Sequence, residues 1–492
     1  MKLTLTNGAA TQEKTDCLIL GILEGQNLTK TGVIVNKATN QYINKLIKSD
    51  NFTGELGKTL LLHHIPGVAA NKILLVGLGN KDEVDALAFS KIIKAAFTCL
   101  KNSSIKSATC YLTEATNKQL SEVEALRIAA LHTQNALYSF EHYKTKKQKT
   151  TLTTVAFYSS KINKTEKDAL TQGHAIASGM ALAQDLGNEP ANICVPSFLA
   201  NKAQSLAKKF TKLSTKIINE SEMKKLGMGA LLGVAKGSKQ PPKLIVMQYN
   251  GGKKTDKPFV LVGKGVTFDS GGISLKPGEG MQHMKCDMMG AATVFGVINT
   301  ICELKLPLNV VGIIPSVENL PGGNAYKPGD VLTSMSGQTI EVVNTDAEGR
   351  LILCDALTYA AKFKPKTIID IATLTGAMVV ALGTEVSGIF SNDDTLAKAL
   401  TKAGDEIADR AWHMPLVNDY HKQLESFVAD MKNCGTRWGG AITAALFLSN
   451  FTKEQHWAHI DNAGTALGGL DGDCAIGRPI PLLVNYLLHE AK

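Results

Sequence analysis

Four segments of nearly continuous apolar character place the strongest constraint on how this chain can fold. They cover residues 243–249, 259–263, 308–315 and 367–372, and helical patterns or loops separate them. A strand that is apolar along its whole length has to be covered on both faces, as in parallel sheets flanked by helices. The segments therefore predict an α/β fold whose larger, C-terminal domain has a mixed, mostly parallel sheet between helices.

The first third of the chain has shorter apolar runs and Ala/Leu-rich stretches with helical spacing. Strands are predicted at residues 17–23, 32–35, 72–79 and 153–158, and helices at 85–100 and 121–140. This alternation predicts a small α/β domain over residues 1–165. We expect that domain to serve assembly or regulation. An amphipathic helix over 166–187 would link it to the larger domain over 188–492.

Positive charge is concentrated in that first third. Residues 1–165 carry 21 Lys and Arg against 12 Asp and Glu, whereas residues 166–492 carry 32 of each, so the whole formal charge of +9 lies in the N-terminal part. A basic surface can bind nucleic acid through the phosphates. A run such as the one at 144–149 is more often a solvated loop, and no recognition motif accompanies it. Nucleic acid therefore stays an alternative partner.

The cysteines and the apolar runs bear on the compartment. Nine cysteines occur without a C-x-x-C pair. An odd number with scattered spacing is typical of reduced thiols rather than of a disulfide framework or a zinc knuckle. No apolar run approaches the roughly 18 residues that a membrane span requires. The sequence therefore predicts a soluble, cytoplasmic protein without a membrane partner.

Charged residues typical of a chemical site lie between a predicted strand at 339–343 and a predicted helix at 351–361. Asp346, Glu348 and Arg350 alternate there. Residues two apart in extended backbone point the same way, so the three groups could face one point. Hard cations bind several carboxylate oxygens, and an arginine can hold an anion beside them. The segment by itself is equally compatible with a solvated turn whose aspartate caps the helix.

A second charged segment lies at 262–278, where a predicted strand ends in a glycine-rich loop. It contains Lys264, Asp269 and Lys276, and Asp287 follows where another helix is predicted to begin. Ligands of open α/β sheets bind beyond the carboxyl ends of the strands, where both segments lie. The two segments supply four carboxylates, which is enough for two metal ions. Burial among apolar residues could lower the pKa of Lys264 until a neutral amine binds metal.

Other chemistries have weaker motifs. Residues 269–272 (DSGG) are similar to the nucleophile turn of serine hydrolases, but no pattern places a histidine near Ser270. The segment at 263–265 lacks the spacing of a phosphate-binding loop, and no H-E-x-x-H zinc motif occurs. Three hypotheses remain: a metal-dependent hydrolase, a serine hydrolase that uses Ser270, and a binding protein that uses the basic first third.

Residues 344–351, NTDAEGRL, match the signature of the leucyl aminopeptidase (cytosol aminopeptidase) family of two-metal peptidases. Residues 263–276 resemble the other active-site segment of that family. The segments 188–192, 370–377 and 457–466 are also similar to it. The resemblance implies a metal-dependent aminopeptidase that releases N-terminal residues from short peptides, with catalysis in the domain over 188–492.

The resemblance also implies a role for each acidic residue. One divalent metal ion would be held by Lys264, Asp269, Asp287 and Glu348. The second would be held by Asp269, Asp346 and Glu348, so that Asp269 and Glu348 bridge the pair. Zn²⁺ or Mn²⁺ would occupy the two sites, with Mg²⁺ or Co²⁺ as alternatives.

Further expectations from the resemblance concern catalysis, specificity and assembly. Lys276 would stabilise the oxyanion of the tetrahedral intermediate, and Arg350 would hold a bicarbonate that acts as general base. An apolar pocket with a preference for Leu- or Met-like first residues would be lined by Met284, Thr373, Gly376, Ala463 and Ala466. The small Ala466 predicts tolerance of larger side chains, and Asn462 stands where the family usually has an apolar residue. The implied assembly is a homohexamer.

Overall fold

The structure is a computed structural model that describes residues 1–148, 150–468 and 474–491. The chain forms two compact units, one of Met1–Ala177 with Asp405–Ala408 and the other of Ser178–Gly404 with Asp409–Lys492. The boundary after Ala177 falls inside one continuous helix that contains the predicted linking helix at 166–187. Among the described residues, none of the helices combines the length and the apolar character that crossing a membrane requires.

The N-terminal unit is built around one sheet. Its helices and strands are β1 (Lys2–Thr6), β2 (Cys17–Leu23), β3 (Asn27–Leu28), α1 (Lys30–Ala38), α2 (Tyr42–Ser49), β4 (Thr59–His63), β5 (Lys72–Gly79), α3 (Ala86–Lys101), β6 (Ser107–Cys110), α4 (Glu122–Leu137), β7 (Thr154–Tyr158) and the boundary helix α5 (Lys164–Asn188). The strand order is β1-β7-β6-β2-β5-β4, with β3 beside β2. Only β3 and β4 pair antiparallel to their neighbours. Lys149, in the basic run, lies outside the described residues, and nucleic-acid binding by that run stays a prediction.

One strand predicted in this unit is wrong. Residues 32–35 lie in α1, which the side chain of Thr29 caps. Val35 is buried, whereas Val33 and Ile34 are more than half exposed. The run therefore contributes one residue to an apolar helix face. Four apolar residues in a row are too few to separate a strand from a helix by their periodicity.

The C-terminal unit contains the long mixed sheet. Its helices and strands are α6 (Pro196–Lys209), β8 (Leu213–Asn219), α7 (Glu220–Lys225), α8 (Gly229–Ala235), β9 (Lys243–Asn250), β10 (Phe259–Gly263), β11 (Gly265–Asp269), α9 (Met289–Leu304), β12 (Asn309–Asn319), β13 (Val331–Thr333), β14 (Thr339–Glu341), α10 (Glu348–Ala360), β15 (Thr367–Ala372), α11 (Gly376–Leu382), β16 (Ser387–Ser391), α12 (Asp394–Asp405), β17 (Ala411–His413), β18 (Met431–Lys432), α13 (Gly440–Ser449), β19 (Trp457–Asp461) and α14 (Ile480–Glu490).

The sheet has the order β17-β16-β19-β15-β10-β12-β9-β8, with β11 paired to β12, and β13, β14 and β18 form a small second sheet. Strands β19, β15, β10 and β12 run parallel to one another, as do β11 with β12 and β16 with β17. Three other pairs of this sheet are antiparallel: β16 with β19, β12 with β9, and β9 with β8. The mostly parallel sheet flanked by helices that the apolar segments predict is therefore confirmed.

Parallel strands bring their carboxyl ends to one edge of this sheet. β10 and β15 are buried along their whole length, and helices α9 and α10 both contact them or β12. The residues that follow β10, β15 and β19, at 264, 373 and 462, therefore emerge side by side. This edge carries the charged side chains described below.

The start of α10 differs from the prediction. The helix begins at Glu348, three residues before the predicted start at 351, and β14 ends at Glu341. Glu348 and Arg350 consequently lie in the first helical turn. Residues two apart there are rotated by about 200° around the helix axis, so they point to nearly opposite sides. The argument from alternation in extended backbone is wrong for this pair. Their different directions suit different roles.

Asp355, in the middle of α10, is a fully buried carboxylate. Its oxygens accept backbone N–H groups of Leu231 at 2.9 Å and Met335 at 2.7 Å, so it joins α10 to α8 and to the turn after β13. Burial raises the pKa of Asp355 from 3.8 to about 7, although these backbone donors lower it. The folded state thus holds the proton more tightly than the unfolded state does. The resulting stabilisation is present below about pH 4 and is lost as the pH rises to about 7.

We expect the Asp355→Asn variant to lack this pH dependence. Between about pH 5 and pH 8 the free energy of unfolding should decrease more in the wild-type protein than in the variant, because the amide does not titrate. Urea-unfolding midpoints at the two pH values measure the difference, and the exposed Asp50→Asn variant serves as control. An equal loss of stability in wild type and Asp355→Asn would contradict the assignment.

Candidate metal centre

Three acidic side chains converge where elements of the C-terminal unit begin or end. Asp269 is the last residue of β11, Asp346 lies in the loop between β14 and α10, and Glu348 is the first residue of α10. One oxygen from each carboxylate lies within 4.8 Å of the other two. Asp269 and Glu348 are buried, and Asp346 is partly exposed. A divalent cation with several oxygen ligands can be held by such a group.

Lys264 connects the fourth acidic residue to this group. It follows β10 and is 3% exposed. Its Nζ lies 2.8 Å from both Asp287 Oδ1 and Glu348 Oε1, and it donates to the Thr373 carbonyl at 3.0 Å. Gly349 leaves the space for this side chain, since a Cβ there would lie 2.7 Å from Nζ. Lys264 and the four predicted acidic ligands are thus brought into one cluster.

Lys276 pairs with the two remaining carboxylates. Its Nζ is 2.9 Å from Asp269 Oδ2, and it also pairs with Asp346 Oδ1. Burial lowers the pKa of the Lys276 ammonium, but the carboxylates of Asp269 and Asp346 outweigh burial and raise that pKa above its ordinary value. The side chain keeps about a quarter of its surface exposed. It is therefore a charged group within reach of a ligand.

For the protein groups by themselves, the net shift in the pKa of Lys264 is opposite to the expected fall. Burial does lower that pKa, but Asp287, Glu348 and Asp269 raise the pKa of the ammonium above its ordinary value. Lys264 is therefore protonated in this arrangement. It could become a neutral metal ligand only if a cation took over its role among the carboxylates.

The carboxylates are more numerous than the ammonium groups that pair with them. Burial raises the pKa of both Glu348 and Asp287 above the ordinary range, and the charge of Asp269 adds to the effect on each. Asp287 Oδ2 is buried and has no hydrogen-bond partner among the described residues. A divalent cation would pair with such an oxygen and offset the surplus negative charge. The donor set of this cluster therefore fits metal ions.

Thr345 joins the two loops that carry the acidic residues. Its Oγ1 donates to the Gly271 carbonyl at 2.6 Å and accepts the Ser274 N–H at 2.8 Å. Asn319 donates from Nδ2 to Asp269 Oδ1 at 2.8 Å and to the Thr345 carbonyl at 3.0 Å. Gly271 has a φ of +87°, a conformation that residues with a Cβ adopt only with strain. These contacts hold Asp269 and Asp346 in place.

Arg350 is almost buried and lines the same cavity as the cluster. Its Nη1 donates to the Asn433 carbonyl at 3.0 Å, while Nε has no hydrogen-bond partner in the described part of the chain. The Asn433 side chain also donates to the Asn344 carbonyl at 2.7 Å and accepts the Val343 N–H at 2.9 Å. A buried guanidinium with an unused N–H can hold a small anion.

Sequence reasoning missed the residues that support this arrangement: Thr345, Asn319 and Asn433. Asn319 is the last residue of β12, so the strand-end rule that singled out Asp269 would also have found it. Thr345 lies within the signature, between the turn-forming Asn344 and the charged Asp346, and a neutral hydroxyl there gives no signal of its own. Asn433 follows the two-residue strand β18, and its local sequence offers no signal.

A cavity of about 630 Å³ adjoins the cluster. It is lined by the seven predicted metal and catalytic residues and by all five predicted pocket residues, which are Met284, Thr373, Gly376, Ala463 and Ala466. Leu374, Val379 and Leu467 line it as well and were missed. Asn462 does not line it, and its Nδ2 donates to the Arg478 carbonyl at 3.2 Å. The departure at Asn462 therefore affects packing within the fold.

Ser270 is not arranged as a nucleophile. It is buried, and its Oγ donates to the Asn319 carbonyl at 2.8 Å and accepts the Gly272 N–H at 3.2 Å. An activated serine instead donates to a neighbouring base. The hydroxyl serves the turn that carries Asp269.

Two domain families match the chain. The catalytic domain of the cytosol aminopeptidase family matches residues 181–484, and the N-terminal domain of the same family matches residues 19–147. A probable cytosol aminopeptidase of Dechloromonas aromatica is 48% identical over 495 residues, which cover 100% of this chain and 99% of the relative. Another, from Nitrosococcus oceani, is 49% identical over 498 residues, which cover 100% of this chain and 99% of that relative.

Solved structures agree with these matches. A tomato leucine aminopeptidase mutant superposes with a TM-score of 0.91 at 31% identity and covers 99% of this chain and 96% of its own. The bottromycin maturation enzyme BotP in complex with Mn has a TM-score of 0.85 at 30% identity, and the match covers 97% of this chain and 100% of the BotP chain. By its sequence, its fold and the extent of both matches, this chain belongs to the cytosol aminopeptidase family of peptidases.

Proposed function

We propose that the chain is a two-metal leucyl aminopeptidase, which hydrolyses the first peptide bond of short peptides and prefers Leu- or Met-like first residues. Membership of the family supports the aminopeptidase activity. The observation that carries the two-metal part is the cluster of four carboxylates and two lysines on the cavity wall. Such a surplus of buried carboxylates is typical of a site for more than one cation.

The metal ligands divide into two sets in this proposal. Lys264, Asp269, Asp287 and Glu348 would hold one ion, and Asp269, Asp346 and Glu348 would hold the other. When bound, two such ions lower the pKa of a water, polarise the scissile carbonyl and bind the free α-amine of the substrate. Carboxylate-rich sites accept several divalent metals. Mn²⁺ or Zn²⁺ are proposed, with Mg²⁺ or Co²⁺ as alternatives, and the manganese complex of BotP supports the first.

Two cations of the chain complete the catalytic group. The Lys276 ammonium is partly exposed beside Asp269 and Asp346, where it can stabilise the negative charge that develops on the carbonyl oxygen. Arg350 would hold a bicarbonate as general base through its unused N–H. The four carboxylates would all be engaged as ligands, so a base from outside the chain is needed.

Substrate preference would come from the cavity. Its wall combines Met284, Ala463, Ala466 and Leu467 with the backbone at Gly376. Burial of an apolar first side chain there contributes about 0.8 kcal/mol for each methylene. The small Ala466 leaves room for side chains of Leu or Met size.

Metal removal tests this proposal directly. Treatment with 1,10-phenanthroline should lower the rate of leucyl-anilide hydrolysis by at least about 10²-fold, and Mn²⁺ or Zn²⁺ should restore it. N-acetyl-leucyl-anilide should be cleaved far more slowly, because a blocked amine does not bind. Comparable rates on the acetylated substrate would contradict amine binding. Activity that survives metal removal and is lost to a fluorophosphonate would point to Ser270 instead.

A further inference from the structure

Arg437 is a cation on the cavity wall that the proposed reaction does not use. It lies in the segment between β18 and α13 and is exposed to solvent. The guanidinium carbon lies 4.8 Å from the centre of the Trp438 ring. Among the described residues no hydrogen bond or ion pair involves its side chain. Arg437 is therefore available to a ligand.

The backbone around Arg437 is held even though its side chain is not paired. Gln423 Oε1 accepts the Thr436 N–H at 3.0 Å and the Thr436 hydroxyl at 2.9 Å. Gly439, with a φ of +65°, ends the segment against the ring of Tyr420. A guanidinium on an anchored backbone and stacked on an indole loses less freedom when it binds a carboxylate.

The lysines and the other arginine of the cavity wall are already engaged by groups of the protein. Lys264 and Lys276 pair with the four carboxylates, and Arg350 is buried and donates to a backbone carbonyl. The cavity wall thus has an acidic cluster and, elsewhere, an unpaired and accessible guanidinium. A short peptide with free ends has the matching pattern, an amine at one end for the proposed metal centre and a carboxylate at the other for the guanidinium. The volume of about 630 Å³ is in the range of small-ligand sites.

We propose that Arg437 binds the free C-terminal carboxylate of short peptides such as dipeptides or tripeptides, and so favours free acids over terminal amides. This inference rests on the proposed aminopeptidase function and adds the substrate class to it. An arginine binds a carboxylate through two parallel hydrogen bonds, which a terminal amide cannot replace. Because the group is exposed, the preference should weaken as salt is added.

The test compares free acids with terminal amides. We would measure kcat/KM for Leu-Gly and Leu-Gly-NH2, and for Leu-Gly-Gly and Leu-Gly-Gly-NH2, in the wild type and in Arg437→Gln. At one of the two lengths the wild type should prefer the free acid about tenfold, and Arg437→Gln should reduce that ratio to below about twofold, mainly through KM for the acid. Arg437→Lys should keep part of the preference, because it keeps the charge without the fork.

Controls separate this inference from the function on which it rests. Lys422→Gln removes an exposed charge from a residue that does not line the cavity, and it should keep the wild-type ratio. An unchanged ratio in Arg437→Gln, or no preference in the wild type at either length, would overturn the inference alone. A change confined to Leu-Asp-NH2 against Leu-Asn-NH2 would assign Arg437 to a side-chain carboxylate and overturn the C-terminal assignment. A wild type that cleaves none of these peptides would overturn the aminopeptidase proposal as well.

Discussion

Replacing Glu348 with Gln is expected to lower kcat/KM for leucyl-anilide hydrolysis by about 10³-fold. Glu348 is 2% exposed and lies 2.8 Å from Lys264 Nζ. In the proposed site it is a ligand of both metal ions, so an amide in its place weakens both. Losing a single well-placed electrostatic group typically costs about 10²–10³ in rate, and losing a supporting group costs about 10–100-fold in metal affinity or activity.

The same variant separates metal binding from folding. Burial raises the pKa of Glu348, so its charge is unfavourable in the protein without a cation, and Gln removes that cost. We expect the Tm of the chelator-treated variant to be no lower than that of the chelator-treated wild type, while the metal content falls. Glu279→Gln, an exposed change outside the cavity lining, is the matched control. Full metal content together with full activity in Glu348→Gln would contradict the ligand assignment.

The Lys276→Gln variant should lose about 10²–10³ in kcat, with a smaller change in KM. The Lys276 ammonium stands beside Asp269 and Asp346, and its charge is most useful when the carbonyl oxygen becomes negative. A group that acts mainly in the transition state changes kcat more than KM. Steady-state kinetics on leucyl-anilide measures both constants.

Metal content decides how a loss in Lys276→Gln should be interpreted. Removing an ammonium from between two carboxylates makes the site more negative, so the variant should retain its metal. Lys276→Arg should recover part of the activity, and Lys327→Gln, which removes an exposed lysine paired with Asp330, should behave as wild type. A loss of activity that follows the loss of metal would make Lys276 a structural residue of the site.

Several features of the fold were predictable because they depend on local patterns. Continuous apolar runs identified the buried parallel strands, because a strand that is apolar along its whole length has to be covered on both faces. The four carboxylates and Lys264 were also predictable from local sequence. Charged residues next to such apolar segments are costly to bury without a partner, so they indicate a site. The strand predicted at 32–35 is wrong because four residues do not define a period.

The details of the site were harder to predict. Glu348 and Arg350 were expected to face the same point from extended backbone, whereas the start of α10 turns them apart. The pKa of Lys264 was expected to fall, but three carboxylates from separate segments raise it. Asn433 supports Arg350 from 83 residues away. Each of these depends on which segments meet, and sequence spacing carries no information about that.

The sequence by itself determined the fold class, the family, and the residue types available for chemistry in 263–276 and 344–351, because periodicity and signature motifs are local properties. Only the tertiary structure decided which charges pair and which remain free. Lys264 and Lys276 each join two carboxylates, whereas Arg437 lines the same cavity without a hydrogen-bond or ion-pair partner among the described residues. Electrostatic energies depend on the distances between groups and on their burial, and both arise only when distant segments come together.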